Sequence, residues 1–199
     1  MNVYMWLSSG LAIFLYVPLV IQIKEKAGAG QNLLTWILWG CLDAVAAASI
    51  ISQRGNSFLV LMYVAGCVIT SIFIWRFGEK GKWTWLETTT LAFVFVSLVV
   101  WCVSGDKMAT IASTVGVVIA GIPQFIDAYR KPRAIPLAIY TGYVVANCLG
   151  IAAGADWSVK ERLYPAAMTI LGLGYVACAA RRFLRSQNQT LSIPGESSS

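Results

Sequence analysis

Residues 36–43 read Trp36-Ile-Leu-Trp-Gly-Cys-Leu-Asp43, and residues 140–147 read Tyr140-Thr-Gly-Tyr-Val-Val-Ala-Asn147. In both, two aromatic side chains and a short polar one fall at i, i+3 and i+7, which is one face of an α-helix. The three positions share an offset of 104 residues. Upstream, Tyr16-Val-Pro18-Leu-Val-Ile-Gln22 and Gly121-Ile-Pro123-Gln124-Phe-Ile-Asp127 place their prolines 105 apart, each shortly before a basic loop. Downstream, Gly66 and Gly172 are 106 apart, as are Arg76-Phe77 and Arg182-Phe183. Offsets this close need only one-residue gaps in loops, so the chain reads as a duplicated unit.

The surroundings of the repeat are apolar. The 199 residues are 58% hydrophobic and 12% charged, with a mean hydropathy of +0.69. Soluble domains carry about 25% charged residues, and this chain lacks the polar surface to cover itself in water. Seven runs have the length that spans a bilayer as a helix: 4–23, 33–52, 57–76, 84–104, 108–128, 134–153 and 163–183. The first has no basic start and no convincing cleavage site, so it reads as a retained span.

The net charge of +6 follows the loops. Lys24, Lys26, Arg76, Lys80, Lys82, Arg130, Lys131, Arg133, Arg181, Arg182 and Arg185 flank one set of ends. Arg54, Lys107, Lys160 and Arg162 flank the other. An excess of eleven over four puts the N-terminus outside and the C-terminus in the cytoplasm. The basic charge is thus a topology signal, and nucleic acid is not an expected partner.

Each copy comprises three helices, an odd number. Joined directly, the copies would have opposite orientations, whereas a fourth helix between them makes them parallel, about an axis along the membrane normal. The expected fold is an all-α membrane protein of seven transmembrane helices in a 3+1+3 plan. Its parts are a first three-helix repeat (1–77), a linker helix (78–106), a second repeat (107–184) and a disordered cytoplasmic tail (185–199).

With Pro123-Gln124 at the cytoplasmic end of the fifth helix, residues 4–184 resemble the PQ-loop/SWEET superfamily of transporters. The resemblance implies a central cavity between the repeats and hinges at the prolines of the first and fifth helices. Members carry sugars, cystine or cationic amino acids, and one branch serves as a receptor. Two departures stand out. The first copy has Pro18-Leu19 in place of Pro-Gln, and neither 58–76 nor 163–183 holds an asparagine, which sugar-carrying members present from those helices.

Asp43 is the most informative single residue. A carboxylate within an apolar span costs about 2.5–3.5 kcal/mol on insertion scales, so it should face a wet cavity or a partner. It is a candidate proton carrier or, on the plainer reading, a structural hydrogen-bond acceptor. Trp36, Trp39, Tyr140 and Tyr143 are expected to line the same cavity, since flat rings stack on sugars and attract cations. Aromatic residues also mark membrane interfaces, where Trp83, Trp85 and Trp157 are placed. Asn147 is expected to bond a substrate or a neighbouring helix, and Tyr63 and Thr169 are matched candidates on the third and seventh helices. Pro18 and Pro123 are candidate hinges, because each removes a backbone hydrogen bond. Gln22, Gln124 and Asp127 are candidate gate residues beside them. Gly66, Gly172 and Gly174 read as helix-packing positions.

These residues point to a carrier for a small polar solute, sugar-like first, working by alternating access. A proton-coupled amino-acid or cationic-solute transporter is the alternative, and a non-transporting receptor of the same fold is the third reading. The chain has no histidine, no nucleophile–base motif and no cofactor fingerprint, so no enzyme, metal or cofactor is expected. The five cysteines lie in apolar runs without metal or redox spacing. The expected partners are the lipid bilayer, the solute, protons and further copies of the chain. Short loops favour a bacterial inner membrane.

Overall fold

The computed structural model describes residues 2–25, 32–78, 82–130 and 134–191, with side chains described except at 123–124, 126–128, 130, 134–136 and 182–191. The described residues are helical, without strands. The α-helices are α1 Val3–Phe14, α2 Tyr16–Glu25, α3 Leu33–Ser52, α4 Phe58–Phe77, α5 Trp85–Ser104, α6 Asp106–Arg130, α7 Ala134–Ala153 and α8 Tyr164–Leu191. A π-helical turn, Val159–Leu163, precedes α8. Among the described residues, five stretches are long and apolar enough to cross a membrane: Val3–Glu25, Leu33–Ser52, Phe58–Phe77, Trp85–Ser104 and Val159–Arg181. The apolar part of α7, Leu137–Ala153, is shorter. This is the build of a membrane-spanning protein.

The first span is broken where its proline requires it. Pro18 has no N–H to give the Phe14 carbonyl four residues earlier, and α1 stops at Phe14. By contrast, α6 runs unbroken through position 123. The two prolines are therefore matched in sequence but not in local backbone. A second difference lies at the C-terminus, where α8 continues past Arg185 to Leu191. The polar composition after Arg185 makes the segment unsuited to lipid but does not end a helix. The first strong breakers, Pro194 and Gly195, come later.

Side-chain caps define the starts of α1, α3 and α5. Asn32 caps α3 by accepting from the Leu34 N–H at 3.0 Å. At α5, Thr84 and Glu87 form a capping box. Glu87 also ties α5 to α3, its Oε1 accepting from Asn32 Nδ2 at 2.9 Å and Thr35 Oγ1 at 2.7 Å. Its Oε2 accepts from the Thr84 N–H at 2.8 Å. Glu87→Ala should leave these donors without their acceptor and destabilise the protein by about 1–3 kcal/mol, read as a lower thermal midpoint in detergent. An unchanged midpoint would show that the linker helix needs no such tie. Between α5 and α6 the chain reverses at Gly105, whose φ of 80° suits glycine.

Packing repeats in two trios. In the first, α4 lies against α1 and α2 on one side and α3 on the other; in the second, α8 lies between α6 and α7. Across the trios, α1 packs on α7 and α3 on α6, while α5 covers α3 and α6. Small polar residues fill the interior: Ser49, Thr70, Ser97, Thr110 and Ser113 are fully buried. Several satisfy their hydroxyls on their own helix, as Ser97 does on the Phe93 carbonyl at 2.7 Å. Large apolar side chains such as Phe14, Trp75, Val103 and Ile170 point outward, an arrangement suited to lipid. Trp83, Trp85 and Trp157 are exposed near loop ends, as interfacial anchors would be.

Candidate functional site

The i, i+3, i+7 faces of α3 and α7 meet around a central cavity of about 100 Å³. Trp36, Trp39 and Asp43 line it from α3, and Tyr140, Tyr143 and Asn147 from α7. Its remaining wall comes from α2, α4, α6 and α8, so both trios contribute.

Asp43 and Asn147 are both buried, and each is held by a tyrosine from the opposite trio. Tyr164 of α8 donates to Asp43 Oδ1 at 2.6 Å, with the Cys67 thiol 3.8 Å from Oδ2 as a weak second donor. Asn147 Nδ2 donates to the Tyr63 hydroxyl of α4 at 2.7 Å and to the Tyr143 carbonyl at 2.8 Å. The carbonyl can only accept, so it sets the orientation of the Asn147 amide. That leaves Asn147 Oδ1 buried with no partner among the described residues, and Trp39 Nε1 is in the same condition. One acceptor and one donor thus belong to cavity-lining residues and are not satisfied by the described residues. Buried polar groups are nearly always paired, so each such exception calls for an explanation.

Seven of the eight residues expected to bind substrate come together here: Trp36, Trp39, Asp43, Tyr63, Tyr140, Tyr143 and Asn147. Thr169 does not join them, and its hydroxyl donates to the Pro165 carbonyl at 2.8 Å. The face that α8 turns inward carries Tyr164, Met168, Leu171, Gly172 and Tyr175, a helical stripe that leaves Thr169 to one side. The offset of 106 read from the glycines and the terminal Arg-Phe pairs sets Thr169 opposite Tyr63, whereas the wall carries Met168, one residue earlier.

Tyr16, Tyr164 and Tyr175 are lining residues that the repeat did not single out. Tyr16 begins α2 directly after the proline-induced break, and its ring lies over Gly66, where a Cβ would come within 2.1 Å of ring carbon Cε2. Tyr175 donates to the Gly121 carbonyl at 2.7 Å and stacks on Tyr140 with ring centroids 4.7 Å apart. The i, i+4 spacing of Met168, Gly172 and the neighbouring Tyr175 was the available signal. Of the gate candidates, Pro18 sits in α2 at the break, and Gln22 is half-buried on α2, outside the lining. Positions 123, 124 and 127 are in α6, and the side chains of Pro123, Gln124 and Asp127 lie outside the described residues.

Among the described residues, hydrogen bonds between the trios gather toward the end formed by residues 53–57 and 154–162. Ser8 Oγ donates to the Ala146 carbonyl at 2.7 Å, and Ser49 Oγ and Thr110 Oγ1 share a bond of 2.8 Å. Gln53 Nε2 reaches Thr110 at 2.9 Å, Ser52 reaches Asp106 at 2.8 Å, and Lys160 Nζ reaches the Gln53 carbonyl at 3.3 Å. Glu161 accepts from the N–H groups of Asn56 and Ala155, both at 3.2 Å. This end of the cavity is closed by polar ties.

No protein-family model matches the chain, and neither the curated proteins nor the solved structures give a match.

Proposed function

We propose that the chain is a membrane carrier that moves a small polar solute by alternating access, the two trios rocking about the central cavity. The observation that carries this reading is the cavity itself, lined at matched positions of α3 and α7 and walled by both trios. The packing pattern supports a 3+1+3 plan of seven spans with α5 as linker, the plan of the PQ-loop/SWEET superfamily. With the N-terminus outside, the tied end at residues 53–57 faces outward, so this conformation is closed to the outside. Opening it requires the ties between the trios to part, including the Tyr164–Asp43 and Asn147–Tyr63 bonds beside the cavity. The short loops favour a bacterial inner membrane.

The test is uptake of labelled sugars, amino acids and amines into liposomes holding the purified protein, with and without a proton gradient. Trp39→Ala and Asn147→Ala should each lower uptake of the transported class by about tenfold or more, the equivalent of about 1.4 kcal/mol of lost interaction. Flux untouched by both substitutions would remove the cavity from the transport path. Tight binding without flux would instead identify a receptor of the same fold.

A further inference from the structure

The charge balance of the cavity narrows the solute. Among the described residues, Asp43 is the only carboxylate in the lining, and no lysine, arginine or histidine lines the cavity with it. Its two described contacts, Tyr164 and Cys67, are neutral groups. Half of the sixteen lining residues are tyrosine or tryptophan. Aromatic faces around a desolvated site attract a cation, with a contribution that grows as water is excluded. A carboxylate in the same wall supplies the counter-charge.

Other solute classes fit less well. A sugar needs a hydrogen-bond partner for most of its hydroxyls, because each left unpaired in a buried site costs binding energy. Among the described lining residues, the buried, unpartnered polar atoms are one donor, Trp39 Nε1, and one acceptor, Asn147 Oδ1. An amino acid brings a carboxylate, for which the described lining offers no basic side chain and which Asp43 would repel.

Resting on the carrier reading, we propose that the solute is a small organic ammonium cation without a carboxylate, bearing one neutral polar group such as a hydroxyl. The ammonium sits against Asp43 within the aromatic wall. A hydroxyl, being both donor and acceptor, could meet Trp39 Nε1 and Asn147 Oδ1.

Labelled choline is the probe, and 3,3-dimethyl-1-butanol, which has the same shape without the charge, is its control. Full-length protein in detergent should bind choline saturably, and the neutral alcohol should compete at least about tenfold more weakly. Asp43→Asn should weaken choline binding by about tenfold or more. If that variant does not fold, the comparison of choline with its neutral isostere on the unmodified protein decides alone. Equal competition by the alcohol, undiminished binding by Asp43→Asn, or absence of choline binding would each overturn the cation assignment. Saturable hexose flux in liposomes without choline binding would overturn it while leaving the carrier reading standing. Choline binding without flux would keep the cation site and remove the carrier.

Discussion

Gly66→Ala should destabilise the protein by about 3 kcal/mol and abolish ligand binding in whatever fraction remains folded. Small-to-large changes in a packed core cost about 1–3 kcal/mol, and more when the neighbours cannot give way. At Gly66 the added methyl would come within 2.1 Å of the Tyr16 ring, closer than any contact carbon atoms tolerate. The ring has little room to retreat. Its centroid lies 6.1 Å from that of Trp36 and 5.9 Å from that of Tyr143, and Tyr16 belongs to the buried core. Moving it would disturb α2 just after the break at Leu15, and with it the cavity wall. Thermal unfolding in detergent reads the loss. Combining Gly66→Ala with Tyr16→Ala should cost less than the sum of the two by more than about 1 kcal/mol, because the second change removes the clash made by the first. Additive losses would show that the ring does not depend on the glycine.

How far the sequence foretells this arrangement depends on which signal each residue sends. Spans of bilayer length and the i, i+3, i+7 faces are properties of the chain alone. Leu33–Ser52 accordingly emerges with the predicted bounds, and Trp36, Trp39 and Asp43 converge with their counterparts on α7. The rotation of α8 is not such a property. The Gly66–Gly172 and Arg76–Arg182 matches set Thr169 opposite Tyr63, whereas the cavity wall carries Met168, one residue away. A single-residue error turns a helix by about 100°, enough to replace Met168 by Thr169 in the wall. Tyr164 was hidden for a different reason. It opens a helix beside a loop, where tyrosine usually marks the membrane interface, yet the π-helical turn before it and its bond to Asp43 leave it 1% exposed. Its partner lies 121 residues away, a pairing that local pattern cannot encode.

Cross-linking the tied end should abolish transport while leaving binding intact. Ser49 Oγ on α3 and Thr110 Oγ1 on α6 lie 2.8 Å apart, and both residues are fully buried between the trios. Sulfur atoms placed at these oxygens need only a small approach to bond, and a disulfide requires Cβ atoms about 3.5–4.5 Å apart. The exchange also gives up Thr110's contact with Gln53 Nε2, a loss of about 1 kcal/mol that leaves the rest of the tied end in place. In liposomes, Ser49→Cys/Thr110→Cys should transport when reduced, fall to background on oxidation with a membrane-permeant oxidant, and recover on reduction. Neither single variant should respond. Ligand binding should persist in the oxidised protein, because the cavity is already formed in the closed conformation that the bond would trap. The separation of flux from binding is what makes the experiment decisive: loss of both would indicate damage to the cavity, and undiminished flux in fully oxidised protein would mean that α3 and α6 never part. In that case the trios cannot rock about this contact, and the solute must take a path that leaves the tied end closed.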